Sequence, residues 1–315
     1  MDKLENATFE VQWAAERPFQ VVGLGLNAVD WIYVIPRYPV HGGKVEIENV
    51  YKRGGGQVAT ASALCARYGL KVRYVGRVGD DAIGKFSLDD LRVEPMDISC
   101  VDEVPGASSQ FATILVDRPT GERTILWNRD SRLLYRDGEL DREQLVIGQL
   151  LHLDGHDQVA SIQAARWARE VGMKVSLDID KVQPGVEELL GITDFLIPSV
   201  NFVCKFSSSR DWRRGLMELA EHTDGFVGLT RGSKGAAALW EGDIFEIPSV
   251  SVECVDTTGA GDVFHGAFIY ALLENYSVGE CLRFANTAAA LSCTQYGARR
   301  GIPPREEVFS MLNHG

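Results

Sequence analysis

Apolar and polar positions along the chain follow two alternating periods. FQVVGLGL (19–26) is a continuous apolar run, as expected of a strand covered on both faces. QVATASALCARYG (57–69) repeats its apolar residues at helical spacing, Val58, Ala61, Cys65 and Tyr68, until Gly69 stops it. The alternation continues. KVRYVGRVG predicts a strand, DAIGKFSLDDL (81–91) a helix, LLHLDG a strand, QVASIQAARWAREVG a helix closed by Gly172, and KVSLDID a strand. DFLIPS (194–199), RDWRRGLMELAEHT and GFVGLT follow as strand, helix and strand. Repeated β–α alternation implies a mostly parallel sheet covered by helices on both faces. FVGLT-RGSKG-AAALW-EGD-IFEIP then predicts an antiparallel meander. Two helices come after it, GAGDVFHGAFIYALLE and the alanine-rich VGECLRFANTAAALSC.

Two stretches break the rhythm. VEIENVY (45–51) alternates like a strand, and FATILVD (111–117) and RTILW (123–127) flank the turn residues RPTGE, predicting a hairpin. Neither fits a βαβ run, so they predict a small second sheet inserted twice into the larger domain. The expected division is a core of 19–30, 54–96 and 132–315, a lid of 31–53 and 97–131, and an extension over 1–18.

Composition narrows the function. Of the 315 residues 45% are apolar and 24% charged, as in an ordinary globular protein. The net charge of −12 argues against nucleic acid and gives no support for a membrane surface, but it leaves room for a small anion held by backbone amides. The six cysteines form no CxxC pair and read as buried free thiols of a reducing cytoplasm. MDKLENATFEVQW has no signal-peptide core, and no apolar run is long enough to span a bilayer.

The chemistry concentrates in DTTGAGDVFHGAF (256–268). A helix N-terminus offers unpaired N–H groups and a partial positive charge. Gly259 and Gly261 let that backbone approach a bulky anion, and Asp262 in the same turn can accept a proton from an alcohol. Taken alone, the stretch fits a plain strand-to-helix turn with an acid in its first turn better. Three further loops add weight: Asp30 just beyond the first strand, Arg53-Gly54-Gly55-Gly56 before a helix, and TRGSKG (230–235) between strands. Each alone reads as a capping acid, a flexible turn or a hairpin.

These stretches together resemble the ribokinase-like carbohydrate kinases of the PfkB type, over roughly residues 19–303. RGGGQVATASALCARYGLKVRYVGRVGDDAIGKF is similar to the family's N-terminal signature. DTTGAGDVFHGAF is similar to its C-terminal one, and ANTAAALSCTQYGARRGIP to its last nucleotide-side segment. The resemblance implies a three-layer α/β/α sandwich with a β-sheet lid, which in many members also forms a dimer contact. It implies transfer of the γ-phosphoryl of ATP, with magnesium, to a hydroxyl of a small sugar. Asp262 would be the base, and Gly259, Ala260 and Gly261 the anion hole. Asp30 would bind sugar hydroxyls with Asn27, Gly54, Gly55 and Gly56 nearby. Thr230, Gly232 and Gly235 would line the ATP site, with Asn286 on the adenine side. Some members bind potassium near the loop matching Asp256 and Thr258.

Two departures matter. Ala59 replaces the usual Asn after the Gly pair, and Ser199 and Phe202 stand where the family has the Asn-x-x-Glu that organises magnesium. Ketohexokinase-like members depart there too. A catalytically weak sugar or nucleoside sensor is therefore the rival, although a pure binder has no need of the intact GAGD. A phosphosugar acceptor would need a cation such as Lys44, Lys52, Arg53 or Arg129. A nucleoside would need walls such as Trp31, Tyr33 or Trp127; an unphosphorylated keto- or aldo-sugar is the preferred acceptor. GLGLNA (23–28) mimics a dinucleotide motif, but the β-branched, proline-containing VDWIYVIPRYP follows it instead of a helix, and no Walker A pattern occurs. HLDGHD (152–157) lacks zinc-ligand spacing and suits substrate contact better than a metal. His265, one turn after Asp262, reads as a packed histidine.

Overall fold

The computed structural model describes residues 2–14 and 16–314. In chain order the first elements are α1 (Asp2–Glu5), β1 (Phe19–Leu24), β2 (Ala28–Ile35), β3 (Asn49–Gly55), α2 (Gln57–Arg67), β4 (Val72–Gly79), α3 (Ala82–Arg92), β5 (Asp97–Val104), β6 (Phe111–Asp117) and β7 (Arg123–Asn128). Then come α4 (Arg142–Leu145), β8 (Gly148–Leu153), α5 (Gln158–Glu170), β9 (Lys174–Leu177), α6 (Val186–Gly191), β10 (Phe195–Leu196), α7 (Val200–Phe206), α8 (Trp212–Ala220) and β11 (Phe226–Thr230). The chain closes with β12 (Ala236–Trp240), β13 (Asp243–Ile247), α9 (Ala260–Leu273), α10 (Val278–Ser292), α11 (Ala298–Gly301) and α12 (Arg305–His314).

A nine-stranded sheet runs β13-β12-β11-β10-β9-β8-β1-β4-β5. It is parallel from β5 to β11, and the expected meander supplies antiparallel β12 and β13. Helices α2, α9, α10 and α12 contribute to one apolar cluster, and α5 to α8 to another. Chain order reverses at β1, which has β4 on one side and β8 on the other. The crevice outside the carboxyl end of β1 is therefore where an open α/β sheet takes its ligand. α9 is buried along its length from Val263 to Leu272, because α2 and α10 pack against it; a side chain on Gly266 would press on the Ala61 carbonyl at 2.7 Å.

The second sheet is four-stranded, β3-β2-β6-β7. Its boundaries correct the sequence reading. Asp97–Val104, expected in the lid, pairs parallel with β4 and closes the edge of the large sheet. The strand expected at 45–51 lies at Asn49–Gly55, because Ala28–Val34 of β2 is the ladder it completes. Arg53, Gly54 and Gly55 are thus strand residues of the lid, not a turn. Ala28, Val29 and Asp30, assigned to the core, belong to lid strand β2. DFLIPS keeps only two ladder residues, Phe195 and Leu196, and Pro198 has no N–H to extend them. The supposed extension packs on the core: Leu4 is fully buried, and the Phe9 ring meets Phe195, Phe226, Trp240 and Phe268 edge-on. All six cysteines are free thiols, four of them buried. No helix among the described residues is long and apolar enough to cross a membrane.

Candidate active site

Gly259 starts α9 with φ 79°, the left-handed region that glycine enters without strain. A Cβ there would also lie 2.3 Å from that of Ala298. Just before it, the fully buried Asp256 accepts the N–H groups of Thr258 at 2.9 Å and Gly297 at 2.8 Å. Thr257 Oγ1 accepts from Arg123 Nη1 at 2.7 Å, which ties lid strand β7 to this loop. Gly261 is exposed, and a side chain on it would meet nothing within 4 Å. The Ala260 N–H donates to the Thr257 carbonyl at 3.3 Å, and the helix tip turns its positive end toward open space at Gly261.

Asp262 is half-buried and makes no hydrogen bond or ion pair among the described residues. Burial pushes its carboxyl up to about 7, with Asp178 and Asp30 adding to the effect and Arg123 and His265 opposing it. Asp30, on β2, is 5% exposed and equally without a hydrogen bond. Burial lifts it to about 7 as well, against the pull of Arg299 and Arg123. Two unpaired carboxylates thus face one region from opposite layers, the lid and the core.

This arrangement costs stability. Asp30 has a folded-state value above its ordinary 3.8, so its stabilising contribution is present at low pH and lost as pH rises through about 7. Asp30→Asn is expected to raise the melting temperature at pH 8 by the equivalent of about 1–3 kcal/mol, and to change it little at pH 4. A melting curve that falls with the substitution at pH 8 would show that the carboxylate is well paired after all.

The neighbouring groups are mostly committed to structure. Asn27 is buried with both ends of its amide taken: Nδ2 donates to Ser87 Oγ at 2.6 Å, and Oδ1 accepts from Arg299 Nη2 at 3.1 Å. The Arg299 guanidinium also pairs with Asp90 at 3.0 Å and lies over Gly54, where any side chain would collide with it. A Cβ on Gly55 would strike the Asp30 carboxylate, and one on Gly56, at φ 96°, the Leu26 carbonyl. Asp154 accepts from Leu26 N at 2.6 Å and His156 N at 3.0 Å, and burial raises it to about 6. His156 Nε2 meets Gln57 Oε1 at 2.7 Å. His265 Nε2 lies 3.4 Å from Asp178 Oδ1, and this contact holds the Asp178 carboxyl below its ordinary value despite burial.

On the other flank, Thr230 ends β11, and its N–H donates to the Pro198 carbonyl at 3.0 Å. Gly232 and Gly235 have positive φ, and a Cβ on Gly235 would lie 2.1 Å from the Ile247 carbonyl. Asn286 is buried on α10 and donates to that carbonyl at 3.1 Å. These residues shape the loop at the edge of the sheet.

Sequence reasoning missed Asp178, Arg123 and Arg299. Asp178 carried a signal, an acid directly after a parallel strand, but Arg123 and Arg299 reach the site only through packing. The Asn-x-x-Glu positions are unsuited to a metal: Phe202 is buried, and Ser199 Oγ accepts the Phe202 N–H at 3.3 Å as the cap of α7. Among the described residues no group of three or more His, Cys, Asp or Glu side chains is arranged to hold a metal ion.

A model of the pfkB family of carbohydrate kinases matches residues 20–305. The chain is 28% identical over 301 residues to a ribokinase of Haemophilus influenzae, covering 92% of this chain and 97% of that one. It is 28% identical over 297 residues to an ATP-dependent ribose-1-phosphate kinase of Halopiger xanaduensis, covering 92% and 97%. The structure of Arabidopsis thaliana ribokinase complexed with ribose and ATP superposes with a TM-score of 0.80 at 26% identity, covering 93% and 98%.

Proposed function

Because the chain belongs to the pfkB family of carbohydrate kinases and is an ATP-dependent carbohydrate kinase, we propose that it phosphorylates a hydroxyl of a small unphosphorylated sugar, with Asp262 as the base. The observation that carries this reading is the unpartnered Asp262 carboxylate beside the bare tip of α9. The acceptor oxygen attacks the γ-phosphorus, its proton passes to Asp262, and ADP leaves. Amides of Gly259, Ala260 and Gly261 hold the oxygens of the moving phosphoryl group, where developing charge is best stabilised by preorganised donors. Asp30 accepts from sugar hydroxyls, and Gly54, Gly55 and Gly56 let the sugar lie against backbone. Thr230, Gly232 and Gly235 take the nucleotide, and Asn286 lies on its adenine side.

Magnesium, carried in by the nucleotide, would neutralise its phosphates. Ser199, which caps α7, and the buried Phe202 do not suit a protein-held magnesium ion. Potassium fits the loop at Asp256 and Thr258, where a carboxylate lies beside the buried, unpartnered Thr258 hydroxyl. The test is a coupled ADP-release assay over a sugar panel, in potassium and in sodium. Sugar-dependent release is expected, and its absence with every sugar would leave the sensor reading.

The lid also suits a second copy of the chain. One face of its sheet carries Asp30, Arg123 and Tyr51 toward the core. The opposite face presents Trp31, Tyr33, Leu115, Val50 and Leu126, the last two 51% and 57% exposed. Light scattering is expected to give twice the 34.7 kDa chain mass, and Val50→Glu with Leu126→Glu to give the monomer. A monomeric native protein would remove the dimer.

A further inference from the structure

A small, largely enclosed cavity lies between the carboxyl ends of β1 and β4, the start of α5 and the segment that follows lid strand β7. Its polar lining includes Asn27, Arg77, Gln110, Arg129, Tyr135 and Asp154. Asp154 links it to the reaction centre: it directly follows β8, Asp178 directly follows the neighbouring β9, and Asp178 lies 3.4 Å from His265 on α9.

This lining has a surplus of donors. Both Asp154 oxygens already accept backbone N–H groups, from Leu26 and His156. The other acid of the wall, Asp157, likewise accepts from Tyr135 N at 2.8 Å and Ala160 N at 3.2 Å. In contrast, two donors, the Tyr135 hydroxyl and Arg77 Nε, are buried without hydrogen-bond partners among the described residues, against one unpaired acceptor, the Gln110 amide oxygen. The Arg77 charge is met by Glu139 at 2.7 Å and Asp102 at 3.5 Å. Arg129 makes no hydrogen bond or ion pair among the described residues. Each buried polar group left unpaired costs about 1–3 kcal/mol, so a wall that keeps several of them suits something that enters.

We infer that this cavity seats the far end of the acceptor and that this end is a carboxylate, making the substrate a sugar acid. The inference rests on the kinase reading above. The reacting hydroxyl lies at Asp262 and the carboxylate on the fork of Arg129, with Tyr135 donating beside it. A guanidinium matches a planar carboxylate with two parallel hydrogen bonds. A phosphate would set two negative charges against Asp154 in a narrow space. A nucleobase would need a wider, flat slot than this small cavity offers.

The test compares acceptors of equal carbon number: D-gluconate against D-glucose, and 2-keto-D-gluconate against D-fructose. ADP release is followed in the native protein, Arg129→Gln and Arg129→Lys, with melting curves as a folding control. Calorimetric titration of the same acids into Asp262→Asn reads binding without turnover. The native protein is expected to favour at least one acid in kcat/KM by about tenfold or more. Arg129→Gln should remove that preference mainly through KM, and Arg129→Lys should restore part of it. If the neutral sugars are used as well as the acids, or Arg129→Gln leaves selectivity unmoved, the inference falls and the kinase reading stands. If no acceptor releases ADP and none binds Asp262→Asn, both fall.

Discussion

Asp262→Asn is expected to lower kcat by about 10²–10⁴-fold while sugar binding stays within a few-fold. Asparagine keeps the shape of the side chain and removes the proton acceptor. Among the described residues the carboxylate has no hydrogen bond or ion pair to lose, so the fold has no reason to suffer. The same group sets the pH dependence. Burial holds its carboxyl up to about 7, so below that pH it is increasingly protonated and cannot accept. The rate should fall about tenfold per unit below pH 7 and level off above it. Near-native turnover in Asp262→Asn, or a plateau already reached at pH 5, would remove Asp262 as the base. Direct ADP detection in stopped reactions, free of coupling-enzyme limits, measures both.

Gly261→Leu tests the other half of the mechanism. The position is helical and exposed, and a Cβ meets nothing within 4 Å. Leucine there should raise helix stability slightly, since glycine in a helix costs about 1 kcal/mol relative to alanine. If the α9 tip cradles the γ-phosphoryl group, the new side chain fills that space. We expect kcat/KM to drop by about 10²–10³-fold with an unchanged or higher melting temperature. A variant that is stable and fully active would show that the phosphoryl group lies elsewhere. Gly259 gives a less clean experiment, because a Cβ there collides with Ala298 and perturbs the tip itself.

Much of the architecture could be read from residue order. Alternating buried strands and amphipathic helices predict the parallel sheet, and the RPTGE turn predicts the β6–β7 hairpin, because these signals are local. β5 shows where that reading ends. DISCVDEV looks like any half-exposed strand, and only its partner decides whether it joins the lid or the large sheet. The GGG stretch was legible as bare backbone, but its place in a strand depended on β2. Asn27 was expected near the sugar, yet its amide is taken at both ends by Ser87 and Arg299, which lie far away in sequence.

By itself, then, the chain's order determined the layers, the two sheets and the glycine-acid turn of α9. Each depends on side-chain periodicity or on backbone freedom within a few residues. Tertiary structure alone decided which charges face one another: Asp30 from the lid, Asp262 and Asp178 from the core, Arg123 held near them by Thr257, and Arg129 without a hydrogen bond or ion pair among the described residues. Proton affinity and ligand choice depend on burial and on the distance between charges, and folding fixes both only when it brings remote segments together.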